Sequence, residues 1–512
     1  MVSWNGRPYN QLRRYADLMK GHAFSRRVIH FACGMVLVVC SLASAQTPQA
    51  TPPPPASQRA VQFPRPVEQT FANGLRVIVV ERSANPLVAA QLLIKNGGEV
   101  DPPELSGLAD ITASLLTKGT ASRDATQIAE AIEALGGSLD AGARWDASNA
   151  IVSVMSSKVD PAMAILADVV RHPTFKDEEI ERLRQQYLDN IRVSLGQPGA
   201  IARFVAARVA FGDAPYGHPL NGTPESLARI TRSDIVKLHG QFYRPDNAIL
   251  IIGGDIKPQN AFGLAKRYFG DWQKPSTPAP GPSKNSVIDG KGGRIVVIDK
   301  PDAGQAAVYL VRSGIERRDP DYFRGIVSNS VLSGYSGRLN QEIRIKRGLS
   351  YGAASMLDAR RDTGPFVASA QTKNESGAQV ADLLLAEISR LATAPPTEAE
   401  LTPRKAVLVG TFSRNLEQVN GLVGQVGSLA LYGLGLDEIN KYIGSVQSIR
   451  PADVQKFASS RLDAKGASIV IVGNAKEFLP ELSKRFSEVE VIPVAELDLN
   501  TGMLRRKKPA DE

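Results

Sequence analysis

Five imidazoles are available to this chain, His22, His30, His172, His218 and His239, and their spacing limits the metal chemistry open to it. No two of the last three stand one helical turn apart, whereas a catalytic zinc site takes about three nitrogen, sulfur or carboxylate ligands from the protein. A two-histidine site could form only from residues distant in sequence. Between Gly107 and Thr120, Asp110 and Ser114 do stand one turn apart, with Ala113 between them. A single carboxylate and a hydroxyl are a poor metal set. With Leu108, Ile111 and Leu115 on the other side, they read as the polar strip of an amphipathic helix. Few histidines remain to serve as a base for serine chemistry.

The elements that must carry these residues are legible in several places. Asp124 to Leu135 is predicted helical, with Asp124 and Gln127 spaced as a capping box and Gly136-Gly137 as its stop. Asp177 to Leu195 is predicted as a second helix, with Ile180, Leu183, Tyr187 and Ile191 as its apolar stripe. Arg344 is expected to close a helix that Gly348 ends, and Tyr351 to open the strand that follows. Asp140, Ala141 and Gly142 fall in the strand after Gly136-Gly137, expected at a sheet edge. Asn73-Gly74, between alternating strands, signals a hairpin.

Three stretches occur twice. Ala89-Ala90 with Leu93, Lys95 and Gly97 matches Ala306-Ala307 with Leu310, Arg312 and Gly314. The run Ile230 to Leu238 matches Ile449 to Phe457, and Ile249 to Gly253 matches Ile469 to Gly473. The offsets are 217, 219 and 220 residues, which argues for duplication. A Pro-rich segment from Lys274 to Pro282 separates the copies. The expected organisation is a leader at 1–45, a Pro-rich tether at 46–67, one half at 68–272, a linker at 273–291, a second half at 292–495 and a basic tail at 496–512. Short connections between strands favour α+β, as two homologous α/β halves with largely antiparallel sheets.

Of the net charge of +9, residues 1–45 hold six Lys/Arg against Asp17, which leaves +4 for the rest. With no basic stripe and interleaved aromatics, nucleic acid is not an expected partner. Arg26-Arg27, the apolar run Val28 to Val39 and Ala43-Ser44-Ala45 have the form of a cleavable signal peptide, and the run is too short to span a bilayer. Met19 is an alternative start, and an uncleaved membrane tether is the alternative to cleavage. Export, with a periplasmic destination, is the expectation. Both cysteines, Cys33 and Cys40, lie in the leader, so the exported chain would have neither disulfides nor cysteine-ligated zinc.

Gly107, Leu108, Ala109, Lys118, Gly119 and Thr120 fit a frame in which this chain resembles the M16 metallopeptidases of the pitrilysin, insulinase and mitochondrial processing type. That family's frame carries His-x-x-Glu-His, and here the three positions are Asp110, Ala113 and Ser114. The later glutamate ligand of the family maps to Asn190, with Asp189 beside it. The segment Gly337-Arg338-Leu339 and then Arg344 to Tyr351 is similar to the family's Arg-x-x-x-Gly-Leu-x-Tyr, whose Arg and Tyr reach substrate near the metal. The edge strand at Asp140, Ala141 and Gly142 corresponds to the one that pairs with substrate peptide in relatives. The resemblance covers nearly all of residues 70–485 and implies two sandwich halves facing each other as a clam-like chamber. It implies a chain that binds no metal itself, is inert alone, and lends Arg344 and Tyr351 to a metal-bearing M16 homologue that supplies zinc for cleaving peptides. The alternative is a non-catalytic peptide-binding or scaffold protein of the same fold.

Overall fold

A computed structural model describes residues 63–278, 281 and 293–506. The leader, nearly all of the tether, most of the linker and the last residues of the basic tail lie outside the described residues. No described helix is long and apolar enough to cross a membrane.

The chain forms two six-stranded sheets of one plan. The first contains β1 (Val67–Thr70), β2 (Arg76–Glu81), β3 (Leu87–Ile94), β4 (Ser138–Ala143), β5 (Ser148–Met155) and β6 (Ala248–Gly254) in the order β1-β2-β6-β3-β5-β4. The second contains β7 (Ile295–Asp299), β8 (Ala306–Ser313), β9 (Ser350–Leu357), β10 (Pro365–Thr372), β11 (Ser468–Gly473) and β12 (Glu490–Pro493) in the order β12-β7-β11-β8-β10-β9. β2, β6, β3, β5 and β4 thus take the places of β7, β11, β8, β10 and β9. Two of the repeated segments read from the sequence fall on equivalent strands, with Ala90 opposite Ile252 and Ala307 opposite Val472, and the third falls on the helices Arg232–Phe242 and Pro451–Arg461. Pairing is mostly antiparallel. The parallel pairs are β2 with β6, and β7 with both β11 and β12. Only the outermost strand beside β2 and β7 differs, since β1 arrives by a hairpin and β12 from the end of the chain.

Local signals placed several elements accurately. Gly74 takes φ +90° in the turn between β1 and β2, a conformation that costs a glycine little. Asn73 Nδ2 donates to the carbonyls of Phe269 and Trp272 at 2.8 and 3.1 Å. Helix α1 spans Leu108–Leu115. Helix α2, Ala125–Glu133, has Asp124 as its N-cap with the reciprocal Gln127 bond of a capping box. Helix α3 spans Asp177–Leu195.

Alternation along the strands gives each sheet two apolar faces. One face of each is covered by helices of its own half. Val77, Val79, Leu92 and Leu250 pack with Ile111 and Leu115, while Val297, Leu310 and Phe366 pack with Leu332 and Leu384. The other face is covered by a helix from the opposite half. Helix α4, Pro198–Phe211, places Ile201, Val205 and Val209 on Val296, Val311 and Val470. Helix α5, Val419–Leu431, places Leu422, Val423 and Val426 on Ile78, Val80 and Ile251. A Cβ at Gly427 would stand 2.9 Å from Leu93 Cδ1, so any larger residue there would have to displace that side chain from the close seat of α5. Each fully buried aliphatic side chain in these contacts contributes about 1.5–3 kcal/mol, so the exchange couples the halves strongly.

The chain ends repeat the exchange. Phe63, just before β1, packs edge-on to Phe412, and its N–H donates to Asn440 Oδ1 at 2.8 Å. Leu497, Leu499 and Leu504 are buried against α4, and Arg208 donates to the carbonyls of Leu499 and Asn500. The stretch expected as a basic tail is therefore anchored through Leu504. Arg505 and Arg506 then face solvent in ion pairs with Glu496 and Glu225.

Candidate functional site

Helix α1 begins without a side-chain cap because Gly107 occupies its N-cap. Asp101 supplies the missing acceptors from the preceding loop, taking the N–H of Gly107 and of Ala109 at 2.8 Å each. This carboxylate satisfies donors that the first helical turn leaves free. Every side chain of α1 except Ser114 is buried, so the polar strip expected at a surface is enclosed by β4 on one side and α3 on the other.

Asp110 lies at the centre of that enclosure. Its Oδ1 accepts the Ala143 N–H at 3.2 Å, and its Oδ2 accepts Tyr187 Oη–H at 3.0 Å and Asn221 Nδ2–H at 2.6 Å. Because Tyr187 spends its proton on Asp110, Ser114 Oγ, 2.9 Å away, must donate to the phenol oxygen. Burial raises the Asp110 pKa, against the three hydrogen bonds that favour its charge. Burial also pushes the Tyr187 phenol up, helped by Asp110, which keeps its proton in place.

This donor set does not fit the zinc that the fold family implies. Both Asp110 oxygens already hold donors, Ser114 is turned to Tyr187, and Ala113 offers no ligand atom. Asn190 is exposed, and its carbonyl accepts from Ser194 Oγ. Asp189 pairs with Arg192 at 2.6 Å. The residue of α3 that meets Asp110 is Tyr187, one turn before buried Ile191. Among the described histidines, His172 lies near Asp168, His239 donates to Val170 O, and His218 is held between the carbonyls of Pro219 and Gly98. Among the described residues no three His, Cys, Asp or Glu side chains are grouped to hold a metal ion.

Asp140, Ala141 and Gly142 lie in β4, at the edge of the first sheet. Since Ala143 turns its N–H away from β5, the two-residue alternation of an antiparallel pair turns the N–H and carbonyl of Ala141 outward too. Among the described residues nothing is bonded to that outward pair. The equivalent edge strand β9 is closed instead. Its Ala353 and Ser355 N–H groups reach Asn340 Oδ1 at 3.4 Å and Ser333 Oγ at 3.2 Å.

Arg344 sits in a π-helical turn, Asn340–Ile345, packed on β9, a rare geometry that is frequent at functional sites. Gly348 follows at φ +63°, and Tyr351 is the second residue of β9. The neighbouring cations are engaged. Arg338 grips Glu400 through two bonds at 2.6 and 2.9 Å, and Lys346 and Arg347 both pair with Glu342. Arg344 has no carboxylate partner among the described residues. Its guanidinium carbon lies 5.4 Å from the centroid of the Tyr335 ring. Tyr335 and Tyr351 are 71% and 88% exposed, so neither ring serves the core. All three line an open cavity of about 580 Å³. The sequence placed Arg344 and Tyr351 here but not Tyr335, whose signal is an aromatic in the turn Ser333-Gly334-Tyr335-Ser336-Gly337.

A buried polar latch joins the halves. Arg361, from the β9–β10 turn, donates to Glu99 at 2.9 Å and to the carbonyls of Lys95 and Asp146 at 2.7 Å each. Asp146 in turn accepts from Tyr216 and Tyr432. Burial pushes Glu99 up to about 7 despite Arg361.

Comparison with known proteins bears on both halves. The family model described as Insulinase (Peptidase family M16) matches residues 76–223, and that described as Peptidase M16 inactive domain matches residues 229–408. An uncharacterized zinc protease of Mycobacterium leprae is 26% identical over 427 residues, 83% of this chain and 96% of that protein. One of Bacillus subtilis is 25% identical over 382 residues, 74% of this chain and 91% of that protein. The crystal structure of a peptidase M16 inactive domain from Pseudomonas fluorescens superposes with a TM-score of 0.73 at 27% identity, covering 80% of this chain and 98% of that one. A protease from Helicobacter pylori superposes with a TM-score of 0.76 at 21% identity, covering 80% of this chain and all of that one, a likeness of fold. With two models of one family matched in tandem, and the fold shared with a solved peptidase M16 inactive domain, the chain belongs to the M16 insulinase-type peptidase family.

Proposed function

We propose that this chain is the non-metal subunit of an exported M16-type zinc peptidase. It contributes Arg344, Tyr351 and half of a peptide chamber to a partner of the same family that carries His-x-x-Glu-His and the zinc. The observation that carries this reading is a division of labour within the molecule. The Asp110 position is filled by internal hydrogen bonds, whereas half-buried Arg344 has no carboxylate partner among the described residues and Tyr351 stands exposed. An arginine fixed beside a reacting carbonyl stabilises the charge that develops there. The outward N–H and carbonyl of Ala141 offer a peptide a strand to pair with, alongside Asp140 and Gly142. Export rests on the leader read from the sequence.

The test mixes the purified chain with a metal-bearing M16 homologue shown to bind it, and follows cleavage of a quenched fluorescent peptide. Cleavage rises on mixing, and Arg344→Gln or Tyr351→Phe in this chain lowers kcat about 10²-fold without loss of partner binding. A scaffold without catalytic contacts would keep its partner's activity in both variants. No rise on mixing with a bound partner overturns the proposal.

A further inference from the structure

We infer that the Arg344 cavity is a carboxylate-recognition subsite, and that the peptides this chain takes carry an anionic group, an Asp or Glu side chain or a free C-terminus, next to an apolar or aromatic residue. The inference deepens the functional reading above and rests on it. A peptide carbonyl uses one edge of a guanidinium, which has five N–H donors. At Arg344 all five are unspent among the described residues, although Arg338, Lys346 and Arg347 nearby each hold a carboxylate. The selectivity of that pairing leaves one cation free at the cavity. The Tyr335 ring lies within cation–π range, so it orients the guanidinium without neutralising it. The described lining contains no Asp or Glu. It offers the amides of Gln305 and Gln371 and the rings of Tyr309, Tyr335 and Tyr351. A lone cation among neutral polar and aromatic walls suits a planar anion bound through two parallel hydrogen bonds, with an apolar neighbour on the exposed tyrosines.

The test measures fluorescence anisotropy of three labelled ten-residue peptides of one apolar sequence with the purified full chain. The first has a central Glu and an amidated end, the second a central Gln and an amidated end, and the third a central Gln and a free carboxylate. The expected result is that the first or the third binds about tenfold tighter than the second, and which of them does so identifies the source of the carboxylate. Arg344→Gln abolishes the preference, Arg344→Lys keeps part of it, and Tyr335→Ala reduces it about threefold. The lysine and alanine variants keep the result decisive if the glutamine variant folds poorly. Equal affinity for all three peptides, or a preference unchanged in Arg344→Gln, overturns the inference and leaves the functional reading standing. No binding of any of them also overturns the inference, whereas the functional reading falls only if cleavage fails to rise on mixing with a bound partner.

Discussion

Asp110 and Arg344 are each a charged side chain packed beside the edge strand of a six-stranded sheet, and the fold treats them oppositely. Asp110 is closed in by α3 and β4, with donors on both oxygens. Arg344 is left with an aromatic ring beneath it and solvent in front. The difference teaches where the two charges act. A buried, saturated carboxylate contributes to stability, and its removal leaves donors without acceptors. A half-buried guanidinium at a cavity wall, with no carboxylate partner among the described residues, adds little to stability and keeps its hydrogen bonds for something outside the chain. The edges next to them are reversed in the same sense. β4 keeps an open backbone pair at Ala141, whereas β9 is sealed by Asn340 and Ser333.

The most severe way to break this comparison is Asp110→Ala. It strands the Ala143 N–H, the Tyr187 phenol and the Asn221 amide, so a loss of about 3 kcal/mol is expected in equilibrium urea unfolding. A loss below about 0.5 kcal/mol would mean that the enclosure is not structural.

Acid should separate the halves next, because the chain has no histidine after His239. His239 is buried, donates to Val170 O and stacks on Tyr243, and burial holds its pKa down at about 4. Its folded pKa lies below the unfolded value, so below about 6.5 the unfolded chain binds a proton that the folded one refuses. The His239 contribution to stability is full above that pH and falls by up to about 1.4 kcal/mol per unit as pH drops towards 4. Amide exchange at pH 5 against pH 7 should show the extra opening around Val159–Arg171 and Arg232–Phe242 before it appears in the second sheet. His239→Gln should weaken the dependence of the urea midpoint between pH 7 and 5, while His218, whose pKa burial also holds down at about 4, keeps its own share.

Tyr187→Phe sharpens the comparison at the level of one proton. It removes the donor to Asp110 and the acceptor for Ser114 while keeping the ring, for an expected loss of about 1 kcal/mol in the same unfolding measurement. Smallest is the effect of Tyr351→Ala on stability, expected within about 0.5 kcal/mol because the ring is almost fully exposed. A larger loss would move Tyr351 from the functional column to the structural one.

What the sequence revealed depended on how local the signal was. The Asn73-Gly74 turn, the Asp124 capping box and helix α3 are set by neighbours within a few residues, and their positions were readable to within about two residues. The missing metal ligands were equally plain, since a side chain that is absent needs no fold to reveal it. The enclosure of Asp110 was not legible, because it depends on Tyr187 and Asn221 arriving from 77 and 111 residues away. Tyr187 read as part of an apolar stripe, and only its phenol tip distinguishes it. The exchange of α4 and α5 was hidden for a related reason. Apolar residues on several sides of a helix announce burial without naming the sheet that supplies it. Leu497, Leu499 and Leu504 lay in a segment whose basic residues drew the reading towards solvent.

The most direct test of the central claim is zinc content measured together with chelator-sensitive peptide turnover on the purified chain alone. The account predicts substoichiometric zinc and no turnover, with cleavage appearing only when a metal-bearing homologue is added. One tightly held zinc per chain, with cleavage that a chelator abolishes, would contradict it.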